Sequence, residues 1–211
     1  MKTHRNAGFT ILELVFVIIV VVILLGLLIP ALYRERPAKR IRCTSHLKQI
    51  AMALRMWSNE HAEHFPMELT TAEGGTRESI LQGLPLTSFR ILSNELNNPR
   101  PLTCPADEAR KQVKDFAQLT PKNLSYFLAV DASERNPQLI LSGDRNLCIN
   151  GQPTNGFVQI TNWSTVTWGQ DIHQHQANIG LADGSAHQVT DLLFQKQLGT
   201  TGLTTNRFAI P

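Results

Sequence analysis

The sequence has no C-x-x-C pair. Its three cysteines, Cys43, Cys104 and Cys148, stand far apart, which removes the paired-ligand signature of structural zinc and of dithiol redox motifs. It has no strong charge of one sign either. Lys and Arg number 20 against 17 Asp and Glu, and without Lys2 and Arg5 the excess falls to one. That balance gives no basic field for a phosphate backbone, so nucleic acid is not an expected partner. No nucleophile–base spacing and no second carboxylate pair stand out, and enzymatic activity is not expected. Internal repeats are absent. No small-residue A-x-A site follows the one long apolar run, so cleavage at the C-terminal end of that run is disfavoured and the run is expected to persist.

That run is the dominant feature. Leu14 to Ile29 carries no charged or strongly polar side chain. With Phe9–Leu12 in front it reaches about 20 residues, the length that crosses a hydrocarbon core of ~30 Å as a helix. One carboxylate, Glu13, interrupts it, and a charge at bilayer depth marks a functional candidate. A short basic leader, residues 1–8, precedes the run, and Pro30 closes it with an expected helix kink. The cluster Arg34, Arg36, Lys39, Arg40 and Arg42 follows. It outnumbers Lys2 and Arg5, so the local charge count favours a cytoplasmic C-terminal part.

Beyond Pro30 the pattern is helical again. Ile41, Leu47, Ile50, Ala51, Leu54 and Trp57 recur at threes and fours with Lys48, Arg55 and Glu60 between them, an amphipathic helix ending near Phe65-Pro66. Short helices are expected over Glu78–Leu84 and Ser88–Leu96. From Ser125 the signal turns to strands: Ser125–Val130, Gln138–Ser142, Asn146–Ile149 and Val158–Ile160, with Gly143-Asp144, Asn150-Gly151 and Asn155-Gly156 as turns. Asp183-Gly184 between Gln176–Ala182 and Ser185–Val189 predicts a hairpin, read as a type I′ turn. Asp191–Leu198 reads as a closing helix.

Gly8-Phe9-Thr10-Ile11-Leu12-Glu13, the basic leader, the apolar run and Pro30 together resemble the N-terminal signal of type IV pilins and type II secretion pseudopilins. The resemblance implies cleavage between Gly8 and Phe9 by a prepilin peptidase and N-methylation of Phe9. It also implies an assembly role for Glu13, paired with the N-terminal amine of a neighbouring subunit. A second stretch, Cys43-Thr44-Ser45-His46-Leu47-Lys48-Gln49-Ile50-Ala51-Met52-Ala53-Leu54, resembles the C-x-x-x-L-K-Q-I helix of prepilin-like proteins. Those proteins end in His, nine residues, then Asp-Gly, matched here by His173, Asp183 and Gly184. Cys104-Pro105-Ala106-Asp107 is similar to the C-P-x-D found midway along them.

The family implies an α+β, pilin-like fold: one long N-terminal helix, transmembrane then amphipathic, packed on a C-terminal antiparallel sheet. The expected divisions are a leader over 1–8, a membrane helix over 9–30, its amphipathic continuation over 31–64 and a head over 65–211. The expected protein is a non-enzymatic subunit of a secretion- or pilus-type filament, with other pilin-like subunits and an inner-membrane platform as partners. Its N-terminus is cytoplasmic and its head extracytoplasmic, against the local charge count. A different reading is a membrane-anchored binding protein that recognises glycan or protein through the loop from Trp163 to His175. A third is a metal-dependent hydrolase on a pilin-like anchor.

Three smaller site expectations accompany these. Cys104 and Cys148 can pair in an oxidising compartment, with free thiols as the alternative. His173 and His175, spaced H-x-H as on a strand, would share a face, and with Asp183 they form a candidate zinc set; the resemblance to secretion pseudopilins implies calcium as a second candidate, with Asp171, Asp183 and backbone carbonyls as its oxygen ligands. The alternative, which the sequence favours, is that no metal binds and His173 pins its loop by a hydrogen bond. Trp163 and Trp168 offer stacking surfaces or half-buried packing.

Overall fold

The structure, a computed structural model, describes residues 10–33, 35–161 and 164–211, with the backbone alone for 28–33 and 35–37. The chain divides into two compact units, Met1–Ala38 and Lys39–Pro211.

In the first unit, α1 spans Ile11–Tyr33 and continues past Pro30. Its start is locally determined. The Thr10 hydroxyl accepts from the Glu13 backbone N–H at 3.3 Å, and the Glu13 carboxylate accepts from the Thr10 backbone N–H and hydroxyl, both at 3.1 Å. This is a reciprocal capping box, written in the sequence as T-x-x-E. The described side chains of α1 are exposed. Among the described residues no helix is long and apolar enough to cross a membrane.

The second unit is α+β. Helix α2 spans Glu35–Asn59, and from Lys39 onward it belongs to this unit. Cys43, Leu47, Ile50, Leu54 and Trp57 are buried, whereas Ile41, Met52 and Met56 face outward, so the apolar period resolves into one seated face. Trp57 caps this face by stacking on His61, centroids 3.5 Å apart. Short helices α3 (Arg77–Leu81), α4 (Leu86–Ile91) and α5 (Ser93–Leu96) lead to the strands.

The strands are β1 (Tyr126–Ala129), β2 (Ile140–Asp144), β3 (Leu147–Ile149), β4 (Gln152–Pro153), β5 (Gly156–Thr161), β6 (Val166–Trp168), β7 (Ala177–Leu181), β8 (Ala186–Val189) and β9 (Thr205–Ile210), with α6 (Asp191–Thr200) before the last. Six of them form an antiparallel sheet ordered β5-β9-β1-β2-β7-β8, and β4-β3-β6 form a smaller one. The expected hairpins and closing helix are present. Strand β9 is not among the sequence expectations, although it is central, pairing with β5 over six residues from Gly156↔Ile210 to Thr161↔Thr205.

Two turn assignments change. Gly143-Asp144 is not a turn but the end of buried strand β2. The Asp183-Gly184 hairpin is not type I′, because positive φ occurs at Gly184 (89°) and not at Asp183. Gly184 N–H donates to Leu181 O and Leu181 N–H to Ser185 O, a type I turn closed by a glycine bulge. Asn150-Gly151, with φ of 51° and 76°, does take the type I′ form.

The sheet presents two faces. Phe127 and Phe208 lie on one, edge to face at 4.9 Å, with Phe194 of α6 at 6.5 Å from Phe208. Gly143 sits opposite Phe127, and a Cβ there would meet the ring Cζ at 2.6 Å. On the other face Gly180 lets α2 approach, a Cβ there standing 3.9 Å from the Leu47 carbonyl oxygen. Gly143→Ala is therefore expected to lower stability by about 1–3 kcal/mol, as overpacking of a closed core does. Gly180→Ala, in ordinary van der Waals contact, should have the smaller effect. Urea titrations of the two variants check the order.

Candidate functional site

The residues that carry the sequence motifs meet on the α2 face of the sheet. Asp144 is the last residue of β2, with its backbone paired to Tyr126 of β1. That register points its carboxylate toward α2, where it is fully buried. Its Oδ2 accepts from the Asn178 backbone N–H at 2.6 Å and from Asn178 Nδ2 at 2.9 Å. Asn178 Oδ1 in turn accepts from the Thr44 hydroxyl on α2 at 2.8 Å. Asp144 Oδ1 has no hydrogen-bond partner among the described residues, and neither has the buried Tyr126 hydroxyl.

Beside this network lies a disulfide. It joins Cys43 to Cys104 across 61 residues and leaves Cys148 free, so the expected Cys104–Cys148 pair is corrected. The reason is positional. Cys43 and Cys104 are both buried in the same core, while Cys148 is on β3 of the smaller sheet, opposite Thr167 and Pro153. His173 Nε2 stands 3.4 Å from Cys104 Sγ and 3.7 Å from Asp144 Oδ2, with its side chain 2 % exposed.

The C-P-x-D segment has a second anchor. Asp107 takes Arg145 in a two-point ion pair at 2.7 and 2.8 Å, with the Asp107 side chain 1 % exposed. Such bidentate geometry is among the stronger charge-assisted contacts. It ties the segment to the residue next to Asp144.

The two halves of the H-x9-D-G motif serve opposite ends of α2. His173 reaches the disulfide at Cys43. At the other end, the Asp183 carbonyl accepts from Arg55 Nη1 at 2.5 Å, and Gly184 lies against the same side chain. From Cys43 to Arg55 is about 18 Å of helix. Strand β7 runs beside it, meeting Thr44 through Asn178 and Leu47 through Gly180. The Asp183 carboxylate is used locally, its Oδ1 accepting from the Ser185 N–H at 2.8 Å.

The proposed metal set is not assembled. His173, Gln174 and His175 have φ of 57°, 53° and 59°, a left-handed turn in place of a strand. The imidazoles therefore diverge: His175 Nδ1 bonds the Trp168 carbonyl at 3.0 Å, while His173 turns inward. Among the described residues, the His, Cys, Asp and Glu atoms close enough to share one ion belong to Cys43, Cys104 and His173. Asp144, Asp171, His175 and Asp183 are outside that group. Trp168 is buried at 1 % exposure and stacks obliquely on Phe194, so it offers no surface for a ligand. Gly8, Phe9 and Trp163 lie outside the described residues. Sequence reasoning missed Asp144, Asn178 and Thr44, and no local signal marks them.

Comparison with models of protein families, with curated proteins and with solved structures finds no match.

The buried pair has matched proton chemistry. Burial pushes the Asp144 carboxyl up to about 7, with the Asn178 hydrogen bonds opposing. Burial, then the charge of Arg40, pulls His173 down to about 4. Between these limits the folded pair holds one proton, on Asp144. The unfolded pair also holds one, on His173, because an unfolded carboxyl titrates near 4 and an unfolded imidazole near 6.5. The raised Asp144 contributes stability that fades as pH rises toward 7. The depressed His173 contributes stability that fades as pH falls from 6.5 toward 4. The two slopes oppose each other.

The full chain should accordingly show little pH dependence from this pair between about pH 4.5 and 6.5. Asp144→Asn removes one slope, so the variant should lose about 1.4 kcal/mol per pH unit on acidification through that window. Denaturation at stepped pH checks this, and a variant as flat as the parent contradicts it. Peptide mapping without reduction should recover a Cys43–Cys104 crosslink and alkylated Cys148. Reduction should lower stability by about 4 kcal/mol on loop-entropy grounds.

Proposed function

We propose that this chain is a pilin-like structural subunit, anchored by its N-terminal helix and assembled with related subunits into a secretion- or pilus-type filament. The observation that carries this reading is Gly8-Phe9-Thr10-Ile11-Leu12-Glu13 after a basic leader and before an unbroken apolar run to Ile29. In this reading a prepilin peptidase cuts after Gly8 and Phe9 becomes the methylated N-terminus. The apolar run spans the inner membrane before assembly, and residues 39–211 form an extracytoplasmic head. The α+β head, with an amphipathic helix seated on an antiparallel sheet, is compatible with that architecture. The disulfide supports an oxidising compartment.

Glu13 then serves twice. Its carboxylate closes the capping box with Thr10, and its charge is the partner for the Phe9 amine of a neighbouring subunit. A buried charge left without a partner costs several kcal/mol, so this pairing would fix axial register. Two substitutions separate the roles. Glu13→Gln retains a residue that closes a capping box but removes the charge, whereas Glu13→Ala removes both. Both variants should be cleaved, and both should fail to enter filaments. Normal incorporation of Glu13→Gln would assign the residue to capping alone. Mass spectrometry of the mature protein should find N-methylated Phe9, and a protein still beginning at Met1 would defeat the proposal.

A further inference from the structure

We propose that Cys43, Cys104, His173 and Asp144 form a zinc(II) site in the reduced protein, so that the ion and the disulfide are mutually exclusive occupants of one buried position. This inference does not depend on the filament reading.

Geometry is the first support. The two sulfurs and one imidazole nitrogen all lie within 4.8 Å of one another. Tetrahedral zinc, with bonds of about 2.3 Å to sulfur and 2.0 Å to nitrogen or oxygen, sets its ligand atoms roughly 3.3–3.8 Å apart. His173 Nε2 already stands 3.4 Å from Cys104 Sγ. Asp144 stands outside that trio, with its Oδ2 3.7 Å from the same nitrogen, and it completes the set by turning Oδ1 toward the ion once the disulfide opens. Sulfurs bonded to each other are closer than two zinc ligands can be, so the ion enters only after the disulfide opens.

An unused acceptor is the second support. Asp144 Oδ1 is fully buried with no hydrogen-bond partner among the described residues. Oδ2 takes both donors of Asn178, which is itself held by Thr44. A ligating carboxylate is characteristically oriented this way, one oxygen fixed by neighbours and the other free for the ion. Charge is the third support. Two thiolates and one carboxylate carry three negative charges, and zinc together with Arg40, whose field reaches both Asp144 and His173, carries three positive.

The exchange balances. A dithiol or phosphine reductant supplies two electrons and is itself oxidised. The S–S bond breaks, and each sulfur keeps one electron pair as a thiolate. Zinc(II) takes those pairs, and any protons the thiols had acquired pass to solvent. Zinc itself is neither oxidised nor reduced.

The test uses the full-length protein in detergent with Cys148→Ser, which removes the remaining thiol. Protein purified in the oxidised form is reduced anaerobically with a phosphine, freed of reductant and given zinc(II) alone. Elemental analysis after gel filtration should find about one zinc per molecule in the reduced sample and less than about a tenth of that in the oxidised one. Cobalt(II) in place of zinc should give the intense visible bands of a tetrahedral site with thiolate charge transfer. Asp144→Asn, oxidised and folded by circular dichroism before reduction, should weaken binding by about tenfold or more, and His173→Gln should abolish stoichiometric retention. If reduction unfolds the protein, zinc should restore the folded spectrum. Equal zinc in oxidised and reduced samples, no zinc in the reduced sample, failure to refold, or unchanged binding in both variants each overturns the proposal.

Discussion

The seating of α2 on the sheet is the constraint on which the rest of the second unit depends. An apolar face alone does not fix it. Cys43, Leu47, Ile50, Leu54 and Trp57 repeat closely enough that a slide of one turn, about 5.4 Å, would again set apolar side chains on apolar strands. What distinguishes the observed seat is polar and covalent. Thr44, Asn178 and Asp144 form one hydrogen-bonded network, Cys43 is bonded to Cys104, and Arg55 is held by the Asp183 carbonyl. A slide of one turn breaks all three.

This explains how the separated motifs relate. The C-x-x-x-L-K-Q-I helix, the C-P-x-D segment and the H-x9-D-G ending are parts of one clasp. The nine residues between His173 and Asp183 contain strand β7, which runs beside the helix between its Cys43 and Arg55 anchors. Three left-handed residues at the entry to β7 turn His173 inward, and each such conformation costs roughly 1–2 kcal/mol in a non-glycine residue. Asn146 Nδ2 steadies that loop, donating to the carbonyls of Gly169 and Ile172 at 2.9 Å. The strain is thus confined to the segment that delivers the imidazole.

Much of the architecture was legible because it is locally encoded. The face of α2, the β7–β8 hairpin and α6 follow from apolar period and turn chemistry. The capping box of Thr10 and Glu13 is equally local, yet a carboxylate inside an apolar run signals its charge before its hydrogen bonds. Other features are not local at all. Gly143-Asp144 has the composition of a turn and lies in a strand because Asn178, 34 residues away, satisfies the carboxylate. The partner of Cys104 is decided by which cysteine shares its core, a fact of tertiary packing. H-x-H reads as one face only in extended backbone, and positive φ at both histidines cancels that premise.

The polar cluster is also poorly explained as a source of stability. A buried, paired acid and base gain little over well-packed apolar side chains of the same volume, and removing one partner leaves the other exposed to the full desolvation penalty. Its energetic effect lies in the alternatives it excludes. With the Asp144–His173 pair holding one proton in both folded and unfolded states across mildly acidic pH, its contribution there is insensitive to acidity. Mis-seated α2 would bury Thr44, Asn178 and Asp144 without partners, each at roughly 1–3 kcal/mol or more for a charge. A penalty on wrong seats that acidity does not relieve is the signature of a registering device. It leaves the exposed side of α2, with Ile41, Met52 and Met56, fixed in orientation relative to the sheet.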